Sequence, residues 1–209
     1  MKPHLVSLLL WCVAGGAVPA AAQTFEVTPF VGSETSGSYP VENPSTVTAF
    51  RADAGKMYGA FFDYTVVGNL QAEFEWAHNP TTYSAQDALS GQYSRAFATS
   101  IDQYQFGALY YLRDPGIAWR PYVAISLGFT HDSNSGDNPG RTAAGFGLGG
   151  GVRYALSSHV GIRGDARWMP THGSDGMSSL CDEFGNCYPT VVRNYLQRFD
   201  VTIGLTVGL

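Results

Sequence analysis

Glu73 and Glu75 alternate with apolar residues, and Arg163, Asp165 and Arg167 do the same later in the chain. Charged groups two residues apart share one face of an extended strand. There they either form a buried ion network or line a path for protons or ions. The same alternation gathers Glu26, Asp63 and Asp200 with Arg120, Arg153 and Arg198, so that six acids meet five bases. An isolated buried charge costs several kcal/mol, and near balance therefore points to pairing. The expectation is an interior charge network built on Glu73, Glu75, Arg153, Arg163, Asp165 and Arg167, with an ion path as the alternative.

Two further groups could do chemistry. Cys181 and Cys187 form an even pair if Cys12 leaves with an export signal, and in an exported chain such a pair reads as a short disulfide. The bridge would staple Asp182 to Asn186 into a rigid tip, with Phe184 at its centre and Tyr188 beside it. A pre-ordered aromatic tip suits an adhesive or receptor-like surface, and equally a loop that resists proteases. A metal would need more ligands than His172 supplies. Asp132, Asn134 and Asp137 suggest calcium, but Gly136 stands fifth and Asp137 sixth where the calcium loop of an EF-hand wants glycine sixth. A solvated loop is the better reading there.

The elements that must position these groups are strands. Period-2 alternation runs through the chain and predicts eight of them, at 24–33, 55–66, 69–79, 100–112, 119–131, 143–156, 159–170 and 193–209. The connections after the second, fourth and sixth are short. Those after the first, third, fifth and seventh are long and rich in Gly, Ser, Asn, Asp and Pro. Short turns at one end and long loops at the other mark a transmembrane barrel, with both termini on the periplasmic side. One face is apolar, from Phe25 and Val27 through Tyr58, Phe62, Phe74, Trp76, Phe106, Ile125 and Leu127 to Ile203 and Leu209; the other carries the charges and Gly145, Gly147, Gly149 and Gly151. Those glycines would leave room for neighbouring arginines. Alternation alone allows a soluble, lipocalin-like barrel with the faces inverted. The turn asymmetry, aromatics near strand ends and a last strand running to the chain end favour the membrane.

Composition agrees. Lys2, the apolar stretch Leu5–Val18 and Ala20-Ala21-Ala22 read as a signal peptide over 1–22, leaving 23–209 as one barrel domain. Trp11 before Cys12 argues against lipidation, because a lipobox needs a small residue there. Only 14% of residues are charged, 25 are glycine, and the net charge of −5 becomes −6 without Lys2. With no basic stripe to meet phosphates, no nucleic-acid partner is expected.

Arg120-Pro121-Tyr122-Val123, Phe146-Gly147-Leu148-Gly149-Gly150-Gly151-Val152-Arg153-Tyr154 and Gly161-Ile162-Arg163-Gly164-Asp165-Ala166-Arg167-Trp168 resemble the bacterial outer-membrane β-barrel domain family, the small OmpA/OmpX-like barrels. The resemblance implies an all-β, up-and-down antiparallel transmembrane barrel of eight strands. It does not extend to the periplasmic cell-wall-binding domain of larger relatives.

His131-Asp132-Ser133-Asn134-Ser135-Gly136, followed by Asn138-Pro139-Gly140, is similar to the His-x-Ser-Asn-x-Gly stretch of outer-membrane lipid A deacylases. That similarity implies Ser133 as nucleophile, His131 as base and Asn134 as oxyanion donor. The acid that should orient the histidine is missing, since no carboxylate follows Asp137 until Asp165. These are also ordinary turn residues. The resulting expectation is a monomeric outer-membrane barrel, not an enzyme and not an open pore, with no cofactor and no metal. Its partners would be outer-membrane lipid and lipopolysaccharide, and an extracellular surface or ligand met through long loops. The lipid A-modifying esterase is the alternative, and a narrow-pore transporter comes third.

Overall fold

The computed structural model describes residues 25–41, 47–134, 141–172, 178–181, 187–190 and 195–209. The signal peptide expected over 1–22, Asp137 and the tip Asp182 to Asn186 lie outside them. In chain order the strands are β1 (Phe25–Ser36), β2 (Ser38–Pro40), β3 (Val47–Ala52), β4 (Gly55–Val67), β5 (Leu70–Asp87), β6 (Tyr93–Tyr111) and β7 (Trp119–Asn134). They continue with β8 (Arg141–Ala155), β9 (Val160–Trp168), β10 (Thr171–His172), β11 (Ser178–Cys181), β12 (Cys187–Thr190), β13 (Tyr195–Leu196) and β14 (Arg198–Gly208). Eight of these close a ring in the order β1, β4, β5, β6, β7, β8, β9, β14, with β14 paired back onto β1 and every pairing antiparallel. Closure satisfies the wall's backbone hydrogen bonds within itself, the condition for strands to stand in hydrocarbon.

Strand period sorts side chains onto the two faces of the wall. Along β7, Tyr122, Ala124, Ser126 and Thr130 are buried, while Val123, Ile125, Leu127 and Phe129 are between 42% and 68% exposed. Along β14, Arg198, Asp200, Thr202 and Thr206 are buried and Phe199, Val201, Ile203 and Leu205 are exposed. The apolar face is therefore outside, the reverse of a lipocalin-like barrel. So continuous an apolar belt is made for lipid. Ladders of rings run across it: Phe62, Phe74 and Phe106 stand in register, with centroids 5.9 and 4.7 Å apart. Tyr104 stacks on Phe129 at 5.1 Å.

One end of the ring is tightly turned. Gly68 holds φ at +53° in the two-residue link between β4 and β5, and Gly116 holds +94° before β7, a region that side chains with a Cβ rarely enter. Phe25 and Leu209 meet at this end, the Leu209 amide donating to the Phe25 carbonyl at 2.9 Å.

The opposite end departs from expectation. β5 and β6 have 18 and 19 residues, where a span needs about 9–11. The second long loop is thus a hairpin that continues the wall as far as Asp87 and Tyr93. In the first loop, β2 pairs with β3 and β3 with β5, raising the wall on the same side. Residues 80–99 are rich in Ser, Thr, Ala and Gln and read as loop. Yet Tyr83, Phe97 and Ile101 turn inward and pack with Val41, Phe50 and Ala52 into an apolar cluster of their own. The fourth loop likewise carries β10, the β11–β12 hairpin and β13 before β14 begins at Arg198.

Candidate functional site

β5 and β9 lie four strands apart by either route round the ring, so their inward side chains meet across the axis. Arg163 reaches Asp63 at 3.0 Å, Glu73 at 2.6 Å and Asp165 at 3.1 Å. Its Nε donates to the Tyr122 hydroxyl at 2.8 Å, and its guanidinium lies 3.9 Å from the Phe61 ring centroid. Arg167 holds Asp165 with a two-pronged grip, Nε to Oδ1 at 2.8 Å and Nη2 to Oδ2 at 3.1 Å. Its Nη1 spans Glu73 at 2.7 Å and Glu75 at 3.0 Å. Each guanidinium thus meets three carboxylates in a site only 2% exposed.

The Gly-rich stretch of β8 makes this possible. A Cβ at Gly149 would sit 2.7 Å from Arg167 Cγ, and one at Gly151 would sit 2.5 Å from the Tyr122 hydroxyl oxygen. Either would push into the groups that fill the lumen.

Arg153 stands apart from this cluster, pairing with Glu26 at 2.8 Å toward the tight-turn end. At the other end Arg198 meets Glu34 at 3.0 Å, and Gln103 donates to the second oxygen of Glu34 at 2.5 Å. Glu34 escapes the sequence reading because β1 runs on to Ser36; the phase that turns Glu26 inward carries through to it. Arg120, grouped with the inward bases, sits at the mouth of the tight-turn end, where it bonds the Arg113 carbonyl and Asn69. The near balance of charge is corrected accordingly: among the described residues Glu26, Glu34, Asp63, Glu73, Glu75, Asp165 and Asp200 face Arg153, Arg163, Arg167 and Arg198 inside the wall.

The esterase reading gains no support among the described residues. His131 and Ser133 lie on the outward face near the end of β7, and the His131 ring nitrogen is 3.0 Å from the Thr142 hydroxyl. Asp132 faces inward and accepts from Tyr83 at 2.8 Å and Thr99 at 2.7 Å. Asp102, opposite His131 in register, is 2.8 Å from the other histidine beside it, His78. Asp165, the next acid along the chain, is locked between arginines. Among the described residues no ion pair joins His131 to a carboxylate, so the arrangement lacks the acid that would orient the histidine. The Asn134 side chain lies outside the described groups. His78–Asp102, an outward pair just above the aromatic ladder, is visible only once the β5–β6 register is known.

In the fourth loop, Cys181 and Cys187 stand directly opposite each other across the β11–β12 pairing. Opposed residues of antiparallel strands have Cα atoms about 4.5–5.5 Å apart, within the span of a disulfide. Among the described residues no three His, Cys, Asp or Glu side chains converge as metal ligands.

The family model of the outer membrane protein beta-barrel domain matches residues 8–180. Among solved structures the chain is similar to OprG from Pseudomonas aeruginosa, at 12% identity over 90% of this chain and 96% of that one, with a TM-score of 0.64. It is similar to Neisserial surface protein A at 14% identity over 88% and 97%, with a TM-score of 0.59. It also resembles AlkL, solved in lipid bilayers, at 15% identity over 93% and 96%, with a TM-score of 0.57. At these identities the likeness is one of fold. No curated protein sequence matches the chain.

Proposed function

The chain belongs to the outer membrane protein β-barrel domain family, and from that premise we propose that it is a plugged barrel whose work is done by its extracellular rim. It sits in the outer membrane with its apolar belt in the lipid. The observation that carries the reading is the raised wall: β5 and β6 run well past the membrane and, with β3, bring a separate apolar cluster, Phe50, Tyr83, Phe97 and Ile101, to the rim. Burying such side chains stabilises by about 1.5–3 kcal/mol each, enough to hold a presented surface in one shape. A rim ordered before contact loses less entropy on binding a surface or ligand. We include in the proposal a Cys181–Cys187 disulfide that orders the fourth loop in the same way, as their opposed register supports.

The test is adhesion. Bacteria making the full protein are compared with bacteria making a form whose rim hairpin, residues 83–97, is replaced by a short turn. Equal binding to host-matrix and abiotic surfaces, with equal amounts of folded barrel in the membrane, would count against the rim.

A further inference from the structure

We propose that the periplasmic mouth of the barrel is a binding site for a small carboxylate with a short apolar tail, a function beyond the rim reading and independent of it. A cavity of about 470 Å³ opens there, lined by Arg120, Arg153, Glu26, Gln71, Ile117 and Leu156 among others. Arg120 and Arg153 are direct cross-strand neighbours on β7 and β8. They share a single carboxylate of the lining, Glu26, and it is taken by Arg153 through Nη2 at 2.8 Å.

Among the described residues the hydrogen bonds and ring contact of Arg120 are all with neutral groups. Its Nε donates to the Arg113 carbonyl at 3.2 Å, its Nη2 to the Asn69 side-chain oxygen at 3.2 Å, and its guanidinium lies 3.7 Å from the Tyr111 ring centroid. Asp114 is engaged by Asn69 at 3.4 Å and forms no ion pair with Arg120 among the described residues. The lumen behind is rich in carboxylates, yet its first layer is closed by Arg163 with Asp63 and Glu73. The mouth is thus a pocket with two guanidiniums, one acid, and an apolar lip from the turns that carry Ile117 and Leu156.

A guanidinium with an open donor recognises carboxylate or phosphate. The apolar lip beside it selects the smaller, singly charged group that brings hydrocarbon with it. The ligand assigned is therefore a short-chain carboxylate such as butyrate rather than inorganic phosphate. It would bind Arg120 with its carboxylate and lay its tail along Ile117 and Leu156.

The test uses the folded protein in detergent micelles with ¹⁵N-labelled arginine, titrated at constant ionic strength with sodium butyrate, sodium phosphate or sodium chloride. The expected result is a saturable movement of the Arg120 and Arg153 Nε–H signals with butyrate, and weaker or no saturation with the other two salts. Replacing Arg120→Gln should weaken binding about tenfold, the effect of one lost charge-assisted hydrogen bond. A second variant, Ile117→Asp, places a negative charge in an exposed turn, so it leaves the barrel wall untouched and should also abolish saturation. Shifts that do not saturate, that chloride or phosphate reproduces equally, or that survive Ile117→Asp would overturn the proposal.

Discussion

Arg163 gathers five groups in the lumen, because three carboxylates, a phenol and a ring share its guanidinium. Removing one partner of a buried ionic cluster leaves the others desolvated and unpaired. Arg163→Met should lower the unfolding free energy by about 3–5 kcal/mol, read from urea unfolding in phospholipid vesicles. Arg163→Lys, which keeps the charge but loses the fork, should fall between the two. An Arg163→Met barrel as stable as the parent would mean that the network contributes little. At the tip of the rim hairpin, hydrogen bonds from the Ser90 amide, the Ser90 hydroxyl and the Leu89 amide hold the Asp87 carboxyl below the usual carboxylate range. A lowered folded-state value stabilises the tip above the ordinary carboxylate range, and that stabilisation is lost as pH falls through the lowered value. The Ser90 amide signal should therefore titrate with a midpoint below that of an unstructured aspartate. Asp87→Asn should flatten the curve, and a midpoint at the ordinary value would contradict the hydrogen-bonded turn.

At the scale of elements, the rim hairpin and the membrane wall are one pair of strands with two separate cores. Tyr83 and Phe97, with ring centroids 5.2 Å apart, belong to the upper core. Phe97→Ala should expose residues 88–92 to proteolysis while the barrel itself keeps its unfolding midpoint; loss of both together would mean a single cooperative unit. The β11–β12 hairpin allows a parallel test. Thiol labelling of the denatured, unreduced protein should find Cys181 and Cys187 blocked, and labelling before reduction would remove the proposed bridge.

These elements also show what could be read from residues alone. The eight wall strands were legible because Val, Ile, Phe and Tyr alternate there with Gly, Thr and charge, a pattern forced by lipid outside and polar filling within. The inward phase of Glu73, Glu75, Arg163 and Arg167 followed from the same alternation. The rim was not legible. Away from the membrane its outer face meets water, so polar residues occupy both faces at most positions and only Tyr83, Phe97 and Ile101 keep the period. Glu34 was missed with it, since Gly-Ser-Glu-Thr-Ser looks like the start of a loop. The partners of Arg167 were hidden for another reason: they depend on which strands stand opposite across the ring, and alternation carries no information about that.

For the whole molecule, the ring contains stacked fillings: an ionic layer in the membrane and an apolar cluster at the rim. An eight-stranded ring is only wide enough for its side chains to fill it. The carboxylates outnumber the guanidiniums inside the described wall, yet an open path for ions would require Arg163 and Arg167 to release partners that hold them from several directions at once. A closed lumen is the expected consequence, and single-channel recording of the purified, refolded protein in a planar lipid bilayer is the measurement that checks it. The parent protein should leave the membrane silent, with conducting steps emerging only when Arg163 and Arg167 are both replaced by alanine. Stable, large conductance steps from the unaltered protein would contradict it.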